Sequence, residues 1–386
     1  MVSLFDGISQ MTCNGQNSSN GLPFFGQSCW DNSGSLVTVT PGATEVIKAV
    51  WIIFATIAIL TLNILMIVVL HSRNHSRYLR QQPRMFMTSL ACTDLAVGLF
   101  VTPFSVFPAL YRCWPFGRFL CAMEALLISA LFHESTLALM CVAIDRYICI
   151  VFPLQYHTWM TRKVLTSFSY HNNYTSNKVC LLMILSSWFF SVTAYCIMIY
   201  PSGDYYFDTD GIQVCEPYYA NKTIIILACT LFFFPPLVII LFCYVAILYI
   251  ARKQIRTVYV APSTIDDNIR RCSSVQEIQT KEKIRNYRSA LTVAAIALGF
   301  VAGVTPWTMT QLITSVLESS PSSDLEFTVT WIAVSNSFWN PIIYGVLNKS
   351  FRSIALDILR RMFWKAQPSF DPTAMATNAH LETHGR

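Results

Sequence analysis

Charge is what this chain has least of. Asp, Glu, Lys and Arg make up 12% of its 386 residues while 54% are hydrophobic, a balance that excludes an ordinary soluble domain. Dividing the length into two or three soluble domains therefore does not apply. Metal-ligand spacing is missing as well, since the 13 cysteines are scattered with no CxxC or zinc framework. No phosphate-cradling glycine loop and no nucleophile–base pair stands out, so an enzyme is not expected. Residues 1–44 are polar and carry no cleavable leader pattern, and the first apolar run is expected to act as its own insertion signal. The net charge of +6 reads as loop asymmetry rather than nucleic-acid affinity, because the basic residues cluster on one side of the apolar blocks.

Those blocks are what the chain has in abundance. Each holds about 20 residues or more, long enough to cross a bilayer as a helix. Seven spans are expected, over about 47–70, 85–110, 119–149, 179–200, 223–251, 288–315 and 327–347. The expected fold is thus an all-α, seven-transmembrane-helix bundle over 47–348, preceded by an outer segment 1–46. Basic and apolar residues alternate at helical spacing over 349–364, which suits a short amphipathic helix lying on the membrane surface. Residues 365–386 have no such pattern and are expected to be a disordered cytoplasmic tail. The third inner connection, 252–287, is polar and basic at both ends.

Orientation follows from the loops. The first and third inner loops and 349–364 are rich in Lys and Arg, whereas Asp6, Asp31, Asp204, Asp208, Asp210, Glu216, Asp324 and Glu326 fall on the other side. The positive-inside rule places the N-terminus outside and the C-terminus inside a plasma membrane. Asn17-Ser-Ser is then an outer glycosylation sequon, while those at Asn74 and Asn348 are cytoplasmic and that at Asn221 sits close to the membrane.

The run Cys141-Val-Ala-Ile-Asp-Arg-Tyr-Ile-Cys-Ile-Val-Phe-Pro-Leu-Gln-Tyr156 organises the chain. A charge pair, Asp145–Arg146, ends a long apolar helix; it either snorkels at the interface or faces the bundle interior. The run resembles the Asp-Arg-Tyr signature of class A (rhodopsin-like) G-protein-coupled receptors. Asn63, Asp94, Trp188, Pro236, Pro306 and Asn340-Pro-Ile-Ile-Tyr344 extend the resemblance, one position per helix in the right order, across about 47–364. The surrounding pattern is nearest to amine-like and orphan receptors.

That resemblance implies several roles. Asp145, Arg146, Tyr147, Tyr244, Asn340, Pro341 and Tyr344 would form the switch that couples to a heterotrimeric G protein. Asp94, Ser135, Asn336, Ser337 and Asn340 match a water-filled sodium pocket; a hydrated polar network with no specific ion is the alternative. Cys121 at the outer end of span three and Cys215 in the following outer loop would be joined by the family's disulfide, which an oxidising exterior favours. Cys13 with Cys29 is a weaker second pair, leaving Cys113 over. Residues expected to line an outer pocket for a small molecule are Glu124, Ile128, Ser129, Ala228, Phe232, Trp307, Thr308, Gln311 and Trp331. Membrane lipid and no nucleic acid completes the set of partners, and no cofactor is expected beyond the sodium ion.

The departures are as informative. The tryptophan that usually stands two residues before the span-six proline is replaced by Val304, and Trp307 follows the proline. Ile128 stands where amine receptors carry an aspartate, and Ala228, Cys229 and Phe232 replace their hydroxyl-bearing serines. This predicts a ligand more hydrophobic than a catecholamine, with Glu124 one turn above as a carboxylate. Span seven has no lysine for a retinal Schiff base. Arg146 to Trp188 is longer than the family spacing by the segment Val164–Lys178, whose edges repeat Lys-Val. It reads as a retained intron or alternative exon, or else as a functional loop. His133 and Glu134 lie in mid-membrane, either as structure or as function. Asn286 stands where many relatives place an acid that pairs with the span-three arginine. Rival readings are a transporter, which would predict internal repeats, and a decoy or scaffold receptor that never couples.

Overall fold

A computed structural model of the chain describes residue 29 and residues 40–72, 81–152, 174–199, 203–207, 214–219, 222–259, 270–317 and 321–364. Cys13, Asn17, Asn74, Pro153, Asp208, Asp210, Asn221, residues 164–173 and the tail 365–386 lie outside it, as does the side chain of Asn286. The described chain is a helical bundle with one outer β-hairpin. In hydrocarbon only helices satisfy every backbone polar group within one segment, and this sequence offers the apolar runs to build them.

Helix α1 (Ala43–His71) starts after an extended Gly42, with Glu45 in its first turn where the helix dipole favours an acid. Helix α2 (Gln81–Phe100) stops short of the expected 110. Pro103 has no N–H to donate and its ring crowds the preceding turn, so residues 101–105 form turns before a short α3 (Val106–Tyr111). Arg112 ends α3 in the left-handed conformation, φ 52°, and donates its N–H to Pro108 O at 2.8 Å. Helix α4 (Gly117–Val151) is buried along much of its length. Helix α5 (Tyr174–Ile199) begins inside the Val164–Lys178 segment, so the end of that segment continues the span as helix.

Strands β1 (Gly203–Phe207) and β2 (Cys215–Tyr219) pair antiparallel, Phe207 opposite Cys215. Helix α6 (Lys222–Ala228) runs through a π turn, Cys229–Phe233, into α7 (Phe234–Tyr259). Pro235 and Pro236 remove two successive donors, and the wider π turn adjusts the helix just ahead of them. Helix α8 (Arg270–Leu317) contains Pro306, α9 (Ser323–Leu347) contains Pro341, and α10 (Lys349–Trp364) follows directly. The third inner connection is therefore shorter than the sequence suggested. Helices α7 and α8 extend into it, because Arg270–Tyr287 is rich in Arg, Lys, Glu and Gln, which favour helix without needing a buried face.

Five helices among the described residues are long and apolar enough to cross a membrane: α1, α4, α5, α6–α7 and α8. The less apolar α2 and α9 pack among them, α2 on α1 and α4, α9 on α8 and α1. The interior divides into an inner cluster around Leu139, Ile240, Ile296 and Tyr344 and an outer one around Ile52, Leu131, Trp331 and Phe338. A third, small cluster of Trp114, Cys121, Ala125, Phe207 and Cys215 seats the hairpin.

Candidate functional site

The outer mouth is built from two covalent straps. Cys121 at the start of α4 is joined to Cys215 of β2. Cys29 is joined to Cys113, not to Cys13, so the expected leftover cysteine is the partner of the N-terminal segment. The pairing runs across 84 residues of sequence, a separation that local spacing cannot reveal. Beside this bond Arg112 Nη2 meets Glu45 Oε1 at 2.5 Å, tying α3 to α1. Lys48 Nζ lies 3.3 Å from Asp324 and 4.7 Å from the Phe327 ring centre, tying α1 to α9.

Glu124 lies under the hairpin. The Cys215 N–H donates to Oε2 at 3.0 Å, and the Ser105 hydroxyl shares its proton between Val101 O at 3.2 Å and Oε1 at 3.4 Å. A buried carboxylate needs such donors, and these are the protein's own. Below it, Ile128 packs on the outer cluster that also holds Trp331. Trp331 is buried beside Phe327, and its Nε1 has no hydrogen-bond partner. Ser129 donates back to Ala125 O at 3.2 Å and Thr308 to Val304 O at 3.2 Å. Ala228, Phe232, Trp307 and Gln311 are half-buried. Val304 is fully buried, and the Trp307 indole instead reaches Phe132 of α4 at 5.2 Å.

Two residues missed among the pocket candidates emerge here. Phe132 lies one turn below Ile128 on the same face of α4, a signal that i, i+4 spacing carries. His133 is 3% exposed and ringed by Phe190 (5.8 Å), Tyr195 (5.8 Å) and Phe232 (4.8 Å). Its neighbour Glu134 accepts from Ser187 of α5 at 2.9 Å, so that pair bridges α4 to α5.

At mid-depth, Asn340 Nδ2 donates to Asp94 Oδ2 at 3.0 Å and the Ser337 hydroxyl is a second partner. Asn63 Nδ2 reaches Ser337 O at 2.8 Å, fixing α1 to α9 at the same level. Ser135 is buried on α4. Asn336 turns away to α8, donating to Phe300 O at 3.4 Å. Asp94, Ser337 and Asn340 thus cluster, and Asn336 does not join them. A carboxylate with neutral oxygen donors is a set that suits a hard cation. No group of three or more His, Cys, Asp or Glu capable of holding a metal occurs among the described residues.

At the inner end, Arg146 donates to Asp145 Oδ2 from Nε at 3.0 Å and from Nη2 at 2.5 Å. Both residues are buried, so the pair faces the bundle interior rather than snorkelling. The Tyr147 ring is tilted against that of Phe242, their centres 5.7 Å apart. The hydroxyls of Tyr244 and Tyr344 are buried with no hydrogen-bond partner, and the Tyr344 ring rests edge-on against Phe351 of α10 at 4.9 Å. Asn348 caps α10, its Oδ1 accepting from Phe351 N at 3.1 Å.

Comparison with known proteins gives this geometry a family. The model of the 7 transmembrane receptor (rhodopsin family) matches residues 62–170 and 164–344. The chain belongs to the rhodopsin family of seven-transmembrane receptors. Among its relatives, rat trace amine-associated receptor 9 is 27% identical over 356 residues, covering 88% of this chain and 96% of the relative. The human protein of the same name is 27% identical over 323 residues, covering 81% and 84%. Dopamine receptor 1 of Drosophila melanogaster is 25% identical over 382 residues, covering 91% and 71%. This receptor is therefore a multi-pass membrane protein and a G-protein-coupled receptor, and the transporter and non-coupling readings are not favoured. The family match comes in two stretches that overlap at residues 164–170, within the Val164–Lys178 segment.

Proposed function

We propose that the receptor sits in the plasma membrane with its N-terminus outside and answers a small, largely apolar amine or a molecule of similar shape. The apolar Ile128 and the Phe132–Trp307 contact one turn below it support this reading. The relatives are named for trace amines and dopamine, which favours an amine. Ile128 in place of an aspartate leaves a catecholamine without its usual counter-ion, and the ligand must draw most of its affinity from apolar burial.

Ligand in the outer pocket would bias a two-state bundle whose inner end opens around Arg146 toward a heterotrimeric G protein. Tyr147, Tyr244, Asn340, Pro341 and Tyr344 would serve that opening, with the unpartnered hydroxyls of Tyr244 and Tyr344 free to bond in the open form. Asp94, Ser337 and Asn340, joined by Ser135, would hold sodium in the closed form. Asn336 would take part only after leaving Phe300.

The carrying observation is the occupied Glu124 above an apolar Ile128. A second-messenger assay with each G-protein class supplied, across arylalkylamines of increasing apolar size, tests it. Potency is expected to rise with apolar area and to fall on adding ring hydroxyls. Nanomolar activation by dopamine or octopamine would contradict the reading.

A further inference from the structure

Between α8 and α9, near the middle of the membrane, is a cleft of about 270 Å³. Gly299 and Gly303 form one wall and Ile332, Trp339 and Ile343 the other. The cleft exists because two glycines one turn apart leave α8 without side chains there. It opens outward, since Ile332 is 41% and Trp339 46% exposed on the surface that faces lipid.

The polar residues at its back each donate to a backbone oxygen. Ser335 donates to Ile332 O at 2.7 Å and Asn336 to Phe300 O at 3.4 Å. No charged residue lines it. Counting along the span Leu291–Leu317 at 1.5 Å per residue, Gly299 is about 12 Å from the inner end and Gly303 about 21 Å from the outer end. A lipid head group does not reach that depth, and the lining is mostly glycine and apolar side chains, which suits hydrocarbon. The volume is below the roughly 300–1,000 Å³ of sites that enclose a whole small molecule, so it takes part of one.

We propose that this cleft binds one hydrocarbon chain of a membrane phospholipid, lodged between α8 and α9. The occupant touches the two helices at the level where Asn336 crosses to α8, so its presence sets their spacing. The walls differ in tolerance. A Cβ at Gly299 would meet only the end of Ile343, Cδ1 at 3.0 Å, which can turn aside. One at Gly303 would meet Asn336 Oδ1 at 2.6 Å and break the crossing. Gly299 is therefore the position at which the cleft can be plugged.

The test uses the full-length receptor in vesicles of a phospholipid whose acyl chain carries a photoreactive diazirine, with labelled residues mapped by mass spectrometry. Labelling of Ile332, Trp339 and Ile343 is expected to exceed that of Phe189 and Phe242, which are more exposed at 73% and 61%, at least threefold. Gly299→Leu should abolish the excess and leave Phe189 labelling unchanged. If that variant misfolds, Gly299→Ala should reduce the excess in proportion to the smaller plug. Labelling that simply follows exposure would overturn the proposal, and so would an excess that survives both variants. Labelling of the cleft by a photoreactive sterol but not by the phospholipid would overturn it too.

Discussion

Glu124 and Cys215 are joined by a 3.0 Å hydrogen bond from the Cys215 N–H to Glu124 Oε2, three residues from the point where Cys121 holds the same Cys215 covalently. The carboxylate and the disulfide lie on one face of α4, so β2 is gripped twice, once by its side chain and once by its backbone. Glu124→Leu should cost about 1–3 kcal/mol, because the buried Cys215 N–H is left without its acceptor. The loss is expected as a lower Tm of purified receptor and faster hydrogen exchange at the Cys215 amide. Glu124→Gln, which keeps an acceptor, should fall between the two.

Cys29 and Cys113 are expected to be found in one peptide pair under non-reducing digestion, with Cys13 absent from it. Cys29→Ser and Cys113→Ser should each lower stability by about 2–4 kcal/mol, and the double variant should lose no more than either alone. Additive losses would contradict the pairing.

Sodium should stabilise the receptor through Asp94. At a concentration tenfold above its Kd the gain is about 1.4 kcal/mol, read as a higher Tm in sodium chloride than in the chloride of a large organic cation. Asp94→Asn should abolish the difference, whereas Asn336→Ala should leave most of it, because Asn336 is directed to Phe300.

The seven spans were legible because hydrocarbon demands long apolar helices and nothing else in this sequence could supply them. Residues such as Asp94 and Asn340, 246 apart in sequence, could be paired beforehand only through a family resemblance, and they do meet. The break at Pro103 was not legible, since the apolar run continues through it and hydrophobicity alone does not register a lost donor. The β-hairpin escaped notice for another reason. Five-residue strands in an acidic segment carry little periodic signal, and this pair gains its place from Phe207 against Trp114 at 5.9 Å and from the disulfide. The partners of Glu124, a backbone N–H and Ser105, were not legible, because they leave no pattern in the sequence.

Deleting Val164–Lys178 should leave surface expression and signalling at or above those of the full chain. Transcripts joining Lys163 to Val179 are expected on sequencing. Tyr174–Lys178 lies in α5, so the shortened span should draw its first turn from Thr161–Lys163. Loss of coupling in the deletion, with the segment present in every transcript, would make it a functional loop.

Ligand-free coupling should exceed that of mock-transfected cells at verified surface expression. Asn286 offers no negative charge to hold Arg146, whose structural partner is its neighbour Asp145. A single contact of about 1.4 kcal/mol would shift the active-state ratio tenfold. Asn286→Glu should lower the basal signal and Arg146→Ala should abolish it.

Cys113 and Cys121 flank one short turn, Trp114–Phe116, and from it the covalent links run in two directions, to Cys29 and to Cys215. A protease that cuts between Cys29 and α1, or within residues 208–213, would therefore release nothing. The nicked receptor should migrate as a single species until reductant is added, so shedding of its outer segment requires a thiol as well as a cut.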